Sequence, residues 1–513
     1  YNQEDTTIDI IGLHGDKDDP IRIQNYQDEE VIISGAKKIK PRWEKHEGNI
    51  WKTEVKYLPS QLFLDGKMLT GARWPNITKN WDQLDDSNAN NPTPGSYWHP
   101  DTWANSASKL PAVDLKGAVV VPIDTEGAPG NIIKVIKKKP AEATDMILED
   151  REYGITWNDP IEDWNARPDD GEKCNSCIPS TYYLTNHLNL LDQPGEWHLE
   201  QRHSYKKVET SYGTDYVLKR EPSVLYVWMP DGSDPNQRNI EARAFSNVPL
   251  LSQENNLLNI NKSSNIIFDG ITFHTGEINL NGAKNITFDN SKFLYSGHHA
   301  HMIADTESGE HNLYGHGGYV NLQTNNMGYA GDEGERIGLG FEKERNITIS
   351  NSEIAYTFGG AFLTWGKGVS GNTIDNVYFH NKVGGDNAFE FGRDSANNKV
   401  RRLEYHTFGW GGVGRIGNQI WRTQEYGGND YPTSVIELSR VYNPFWHGDD
   451  AGFQINQGQV YNLVVRQNWL HDLPGRNGIR FDGDPGGFGG TAHHNVSFNN
   501  RRGFRLKGDH HTC

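Results

Sequence analysis

The sequence predicts an all-β protein, a right-handed parallel β-helix with a β-sandwich-like domain inserted in its N-terminal half. Three observations predict this solenoid. Short strand-like segments recur in the C-terminal half at intervals of about one coil, and a second set of strands follows recurring Asn residues. The composition, with 55 Gly and 35% hydrophobic residues, is typical of short strands and many turns, and the repeat region lacks the apolar periodicity of core helices.

The first set of repeats alternates apolar and polar residues, so the first and third residues should face inward and the others outward. The segments are 363–366, 389–392, 453–456, 479–482 and 504–507, evenly spaced except for one long step between the second and the third. One coil per step, with extra length in the middle, would stack the outward residues in two columns. These columns are Thr364, Glu390, Gln454, Arg480 and Arg505, and Gly366, Gly392, Asn456, Asp482 and Lys507.

The second set of repeats begins with Asn in segments 265–269, 285–289, 346–350 and 372–376. Asn tolerates the left-handed conformation, and stacked Asn side chains can bond to one another through successive turns. Coils as short as these leave no room for a crossover helix, which favours a β-helix. A leucine-rich repeat is disfavoured because its consensus is missing.

These repeats divide the chain into three parts. Residues 1–40 begin the β-helix, residues 41–250 form the inserted β-rich domain, and residues 251–513 form the main β-helix. Cys513 lies only one strand into a coil. Because a solenoid needs a capped end, we expect the β-helix to continue beyond residue 513 or to be capped from elsewhere. Interruptions at about 297–345 and 408–450 would be loops that wall a binding groove.

Charge and cysteine content limit the partners and the compartment. With 67 acidic and 50 basic residues, the net charge of −17 argues against a nucleic-acid partner, and no apolar run predicts a membrane span. A chain that starts at Tyr1 fits a mature secreted or periplasmic protein, or a trimmed one. Cys174 and Cys177 favour a small loop disulfide over unpaired thiols or a zinc site. The oligomeric state is not predicted.

The outward columns carry Glu, Arg, Asp and Lys, as a face that holds a polar polymer would. Hydrolysis of a glycosidic bond uses two carboxyl groups, about 5 Å apart for retention and about 6.5–9.5 Å for inversion. Asp449 and Asp450 immediately precede the strand one coil before Asp482. A coil step of about 4.8 Å and a lateral offset would pair one of them with Asp482. Glu425 is a reserve acid, and His471 is a supporting catalytic candidate.

Other candidates would bind the polymer, Arg by bidentate contacts and Trp by stacking. They are Glu390, His447, Arg415, Arg480, Arg505, Lys507 and Trp410. Structural interpretations stay open for several candidates. Asp482 could belong to a turn, Asp449 and Asp450 could bind calcium or cap a turn, and Glu390 could pair with Arg393.

Three stretches, 64–76, 226–235 and 468–483, resemble carbohydrate-active right-handed parallel β-helix enzymes. The layout is most similar to glycoside hydrolases of families 141, 120 and 174, which act on xylan, fucose-containing glycans or sulfated fucans. The resemblance carries over no catalytic motif residue by residue, so it implies the fold and a glycan-degrading activity but not the substrate. With the charged outward columns, we predict a secreted hydrolase of an anionic, sulfated polysaccharide of fucan type, such as fucoidan, or of xylan type.

Two alternatives come from the same fold. Polysaccharide lyases such as chondroitinase B and alginate lyases share it, and Arg480 and Lys507 could neutralise a uronate for β-elimination. A non-catalytic glycan-binding β-helix is the other alternative. No cofactor is required for hydrolysis, and no metal site is predicted; calcium stays open as an electrophile for the lyase reaction.

Overall fold

The protein is all-β with parallel sheets, as seen in a computed structural model. The structure describes residues 8–27, 29–57, 59–79, 102–105, 108, 110–115, 118–123, 134–138, 147–150, 155–157, 181–200, 204–210, 213–219, 222–244, 256–296, 346–357, 362–364, 371–382, 388–391, 397–409, 413–414, 433–444, 451–456, 463–482, 490–507 and 512. These ranges contain no α-helix, and two short 3₁₀ helices, Leu188–Leu190 and Pro235–Gln237, lie between strands. Within the same ranges, no helix has the length and apolarity that crossing a membrane would need.

The parallel strands form three series, which we call ladders A, B and C. Ladders B and C are hydrogen-bonded from rung to rung, whereas the described pairings of ladder A form three sets, which end at Glu277–Asn281, end at Phe389–Phe391 and begin at Val413–Gly414. Ladder A contains Ile8–Ile11, Asn256–Asn261, Glu277–Asn281, Phe362–Thr364, Phe389–Phe391, Val413–Gly414, Ala451–Asn456 and residues 477–482 and 502–506. Ladder B contains Ile21–Gln24, Ser264–Asp269, Lys284–Asp289, residues 348–350 and 373–375, Lys399–Arg401, Ser434–Glu437, Leu463–Arg466 and Thr491–His493.

Ladder C follows ladder B along the chain, and one A, one B and one C strand make one rung. Its strands are Val31–Ser34, Ile271–His274, Lys292–Leu294, residues 352–355 and 377–382, Glu404–Phe408, Arg440–Pro444 and residues 469–473 and 496–500. Several B and C strands are continuous in Thr348–Ala355 and Thr373–Lys382, and C and A strands in Trp469–Asp482 and Val496–Leu506.

The apolar interior runs between the ladders and follows the predicted alternation. Phe453, Ile455, Ile479 and Phe481 are fully buried in one core that extends through the rungs from Leu257. Aromatic rings stack along this core, as Phe268 does on Phe288 with centroids 5.0 Å apart. Such stacking adds to the burial of apolar surface that stabilises each rung on the next.

Two features of the predicted repeat differ from the structure. Phe362, not Leu363, pairs with Phe389, so the first predicted segment is one residue out of register. Phe362 and Leu363 are both apolar, so a period-2 pattern could begin at either residue, and the sequence did not decide which of them faces inward. Phe504 and Leu506, predicted to be interior, are 44% and 45% exposed because no described strand packs beyond theirs.

The predicted Asn stack is confirmed at three of its four positions, at the start of ladder B. The fourth, Asn372, is fully buried and accepts a hydrogen bond from the Ile347 N–H at 3.1 Å instead. Asn265, Asn285 and Asn346 all have positive φ angles between 52° and 56°. The Asn285 amide donates to Asn265 Oδ1 at 2.7 Å, and the Asn346 amide donates to Asn285 Oδ1 at 2.9 Å. Asn supplies both the left-handed conformation and the hydrogen bonds that link consecutive rungs.

We expect Asn285→Ala to lower the free energy of unfolding by about 3 kcal/mol, from two lost hydrogen bonds and a strained φ. Asn285→Gly keeps the backbone freedom and should cost about 2 kcal/mol. Urea unfolding of the two variants measures both values. Equal stability of the wild type and Asn285→Ala would contradict a structural role for this stack.

Antiparallel strands occupy residues 37–244, between the first and second parallel rungs. A five-stranded sheet contains Glu44–Glu47, Ile50–Val55, Ser223–Trp228, Glu196–Glu200 and Thr70–Gly71, the last two in parallel. A second sheet contains Arg73–Trp74, Ala104–Asn105, Thr181–Thr185, Val119–Ile123, Lys134–Lys138, Ile147–Asp150 and Ile155–Trp157. The remaining sheets contain Lys37–Lys38, Ile240–Ala244, Pro59–Leu64 and Lys67–Met68, and Ser204–Thr210 with Gly213–Lys219.

Strand Pro59–Leu64 packs this antiparallel region against ladder C. The Gln61 side-chain amide donates to the Tyr295 carbonyl at 3.2 Å, and the Thr275 hydroxyl donates to Gln61 Oε1. The Phe63 ring meets His274 edge-on at 4.7 Å. Gln61 and Thr275 are buried, so these bonds fix the inserted strands to the second and third rungs.

Two of the stretches that carry the sequence resemblance meet at one arginine. Arg238 Nε donates to Asp65 Oδ2 at 3.0 Å, and the same guanidinium is paired with Asp231. Asp65 and Gly66 have positive φ angles of 50° and 80° and form the turn between Pro59–Leu64 and Lys67–Met68. These motif residues therefore connect two turns of the inserted region, which is a structural role.

Candidate functional site

The outer face of ladder A brings together part of the predicted polar column. Gln454, Arg480 and Arg505 are consecutive partners in the parallel register. The first two of these side chains are buried, Gln454 being 6% and Arg480 4% exposed, whereas Arg505 is half-buried and Lys507, in the neighbouring column, is exposed. The face is therefore covered at its first two rungs, whereas the sequence predicted an open surface throughout. A buried guanidinium needs polar partners within the protein, whereas an exposed guanidinium forms its hydrogen bonds with water.

Asp482 occupies the last position of strand Trp469–Asp482 and pairs with Asn456, as predicted. At the other end of the same pairing, Ala451 lies opposite Asn477. The extended strand from Asn477 to Asp482 spans about 17 Å. Ala451, the residue after Asp450, therefore lies about 17 Å from Asp482 along the strand direction, a lateral offset that the sequence did not define.

Glu390 lies three rungs from Asp482 along ladder A. Its strand, Phe389–Phe391, follows the C strand of residues 377–382, and Val413–Gly414 follows the next C strand. Val413–Gly414 pairs with Ala451–Asn456, which pairs with residues 477–482. Three steps of about 4.8 Å make about 14 Å, so the backbone places Glu390 too far away to form the hydrolytic pair with Asp482.

His471 lies on ladder C, and both of its ring nitrogens are engaged. Arg440 Nε donates to His471 Nε2 at 2.9 Å, which assigns the ring proton to Nδ1, and Nδ1 donates to Asp472 Oδ2 at 2.7 Å. Burial would raise the pKa of Asp472, but hydrogen bonds from Asn499 and His471 outweigh it and lower that pKa. His471 thus has no open lone pair in this arrangement and holds Arg440 in place.

His471 also belongs to a stack of rings that the sequence analysis missed. Successive C strands place one ring each on the outer face, with centroids 4.9–5.7 Å apart and interplanar angles of at most 22°. We call these rings the ring column: His380, His406, Tyr442, His471 and Phe498. The signal in the sequence was an outward aromatic or His near the end of each of the last five described C strands, but the uneven spacing of these positions along the chain obscured it.

Polar contacts join the ring column to the neighbouring column of outward residues, which lies two positions earlier on each C strand. Each contact runs to the preceding rung. His380 Nε2 lies 3.2 Å from Glu353 Oε1, a contact that lowers the pKa of Glu353. The Tyr442 hydroxyl donates to Glu404 Oε1 at 2.8 Å. Burial, followed by this hydrogen bond, raises the pKa of Tyr442. Glu353 and Glu404 are thereby each held by a ring on the next rung.

Several predicted residues lie outside the described residues. These are Asp449, Asp450, Glu425, His447, Arg415 and Trp410, together with Cys174 and Cys177. Asp482 and Glu390 are described through their backbones alone. Among the described residues, no three His, Cys, Asp or Glu side chains come together as a metal site.

Comparison with known proteins finds weak similarities. No family model matches the chain, and no curated protein matches it. Over 98% of its length, the chain is similar to 88% of a solved glycoside hydrolase, with 14% identity and a TM-score of 0.49. Half of the chain is similar to 76% of an alginate lyase from Paenibacillus sp. str. FPU-7, with 12% identity and a TM-score of 0.31. A further 12% identical structure, with a TM-score of 0.27, is PfbA, a surface adhesin of Streptococcus pneumoniae; the similarity covers 51% of this chain and 65% of that one.

Proposed function

We propose that the chain is a secreted glycoside hydrolase built on a right-handed parallel β-helix, and that it cleaves an anionic, sulfated polysaccharide of fucan or xylan type. The observation that carries this proposal is the pairing of Arg480 with Arg505 on one face, with Asp482 two residues after Arg480 on the same strand. Guanidinium groups bind sulfate or carboxylate oxygens in bidentate geometry. A carboxylate beside them can serve as the acid or base at the scissile bond.

Asp482 takes the acid–base role in this proposal. The second carboxylate comes from the predicted 408–450 interruption, which carries Glu425, Asp449 and Asp450. This stretch is not one loop as the sequence predicted, because Val413–Gly414, Ser434–Glu437 and Arg440–Pro444 form a rung within it. Because the start of strand Ala451–Asn456 is about 17 Å along the sheet from Asp482, a residue from this interruption must extend over the sheet to act with it. Arg480, Arg505 and Lys507 would bind the anionic groups, with Glu390, Arg415, His447 and Trp410 as outlying contacts.

A polysaccharide lyase is the second candidate, favoured by the same basic residues. β-Elimination needs a cation to neutralise the uronate carboxylate and a base to remove the proton beside it, but it does not need a carboxylate pair. Arg480 and Lys507, on consecutive rungs at one end of ladder A, could perform these tasks.

Digestion of a panel of algal and plant polysaccharides distinguishes the two reactions. We expect new reducing ends without the ultraviolet absorbance of an unsaturated sugar, because hydrolysis adds water and creates no double bond. Reducing ends together with that absorbance would establish elimination and reject hydrolysis. A panel that includes fucoidan, xylan and alginate and yields no product would reject both enzymes in favour of a binding protein.

A further inference from the structure

The outer face of ladder C carries a stripe of exposed side chains that the cleavage reaction does not use. Tyr378, Glu404, Arg440 and Trp469 occupy the same position on four consecutive rungs. Trp469 is 51% and Tyr378 39% exposed, and both charged side chains are more than 40% exposed. We call these four residues the edge stripe. The two exposed rings present flat apolar surface, and the ion pair between them presents hydrogen-bonding groups, in one row along the sheet.

The edge stripe is held rigidly by the ring column, which lies beside it on the same face, two residues further along each strand. Arg440 donates to His471 at 2.9 Å, and its guanidinium lies 4.2 Å above the centroid of the Tyr442 ring. Tyr442 in turn donates to Glu404, and the Tyr378 hydroxyl lies 2.9 Å from His406 Nε2. Side chains fixed in this way lose little rotamer entropy when a ligand binds, which is the advantage of a preorganised site.

The chemistry of the edge stripe fits a sugar chain. Tyr and Trp offer flat apolar surfaces to the C–H faces of pyranose rings, while a carboxylate and a guanidinium hydrogen-bond to hydroxyl groups. Arg440 Nη1 lies 3.5 Å from Glu404 Oε1, so their charges offset each other at the centre of the stripe. A polyanion gains little from such a pair, and an uncharged, hydroxyl-rich chain suits it better.

The size of the edge stripe and its position support the same ligand. Three rung steps of about 4.8 Å separate Tyr378 from Trp469, or about 14 Å, which accommodates several consecutive sugar units. Exposure is not confined to the last rung, because Tyr378 lies four rungs before the final C strand of residues 496–500. We propose that the edge stripe is a binding site for an uncharged saccharide segment, separate from the cleavage site on ladder A.

Affinity electrophoresis tests this site without relying on turnover. The Asp482→Asn protein and its double variant with Trp469→Ala are run in native gels that contain galactomannan or glucan, with fucoidan as the anionic comparison. We expect at least one neutral polysaccharide to retard the parent protein. Trp469→Ala should weaken that retardation at least tenfold in apparent Kd, and Trp469→Phe should retain most of it. Retardation by fucoidan reports the ladder A site and should be unchanged by Trp469→Ala.

Tyr26→Ala is the matched control, because Tyr26 is 69% exposed and lies near the first rung. It should bind as the parent does. The proposal is overturned if no neutral polysaccharide retards the Asp482→Asn protein or if the added Trp469→Ala substitution leaves binding normal. It is also overturned if Tyr26→Ala weakens binding as much as Trp469→Ala does. Since the readout is binding, a failure of the edge stripe leaves the cleavage assay and its outcome untouched.

Discussion

Asp482→Asn should reduce the turnover of the cleaved polysaccharide by about a thousandfold, within the range of about 10² to 10⁴ that general acid–base catalysis contributes. The amide has nearly the shape of the carboxylate but can neither accept nor return a proton near neutral pH. A thousandfold loss corresponds to about 4 kcal/mol of transition-state stabilisation. Substrate binding should change little, because Arg480 and Arg505 supply the contacts to the anionic groups in the proposed site.

The measurement is kcat and KM on the polysaccharide that the panel identifies, with unfolding followed by circular dichroism. Asp269→Asn is the control variant, since Asp269 lies on ladder B with Arg22 at 3.9 Å and should retain full activity. A variant that folds normally and keeps more than a tenth of wild-type kcat would remove Asp482 from the catalytic role. A rise in KM alone would make it a binding residue.

The sequence predicted the features that repeat locally. Asn at the start of three ladder B strands encodes its own backbone conformation and its own hydrogen-bonding partner, so the Asn265–Asn285–Asn346 stack could be anticipated. The partnership of Arg480 with Arg505 followed from two similar segments one coil apart. In both cases, neighbours in the fold are equivalent positions in adjacent repeats.

Features that depend on unequal rungs could not be predicted. The long step between Phe389 and Phe453 contains another A strand, Val413–Gly414, too short and Gly-rich to be recognised. The lateral distance from Ala451 to Asp482 depends on the register of one strand pair, which the spacing of carboxylates does not encode. The burial of Arg480 depends on what covers the outer face, and a period-2 pattern says only which way a side chain points.

The interior of the inserted domain carries two buried titratable groups that no repeat pattern revealed. Glu196 and His198 are neighbours on one face of strand Glu196–Glu200. Burial, followed by the charge of Asp192, raises the pKa of Glu196 to about 8. Burial lowers the pKa of His198 to about 3. Both side chains are therefore neutral in the folded protein near pH 6. Keeping them neutral lowers the free energy of unfolding by an amount that depends on pH.

We expect Glu196→Gln to stabilise the protein by about 3 kcal/mol at pH 7, since Gln is neutral in both states. In the unfolded chain, Glu196 ionises above a pKa of about 4.5, whereas the folded protein keeps it protonated up to about pH 8. Between those values the unfolded state binds fewer protons, so folded stability falls by about 1.4 kcal/mol for each pH unit. The substitution removes this loss. The free energy of unfolding of the variant should equal that of the wild type at pH 4.5, apart from a constant contribution of the amide group. The difference in favour of the variant should be largest at pH 8.

Urea unfolding at intervals between pH 4.5 and pH 8 measures this difference. His198 supplies an internal check, because the unfolded state charges it below about pH 6.5, and its effect opposes that of Glu196 between pH 4.5 and 6.5. In the wild type, the contributions of Glu196 and His198 to the pH dependence of stability should nearly cancel between pH 4.5 and 6.5. In Glu196→Gln, stability should rise with pH over the same range. Glu44→Gln, at an exposed strand position of the same domain, is the matched control. If the stability difference between variant and wild type stays constant with pH, Glu196 is ionised in the folded protein. Its Oε1, which has no hydrogen bond among the described residues, would then contact a charged partner.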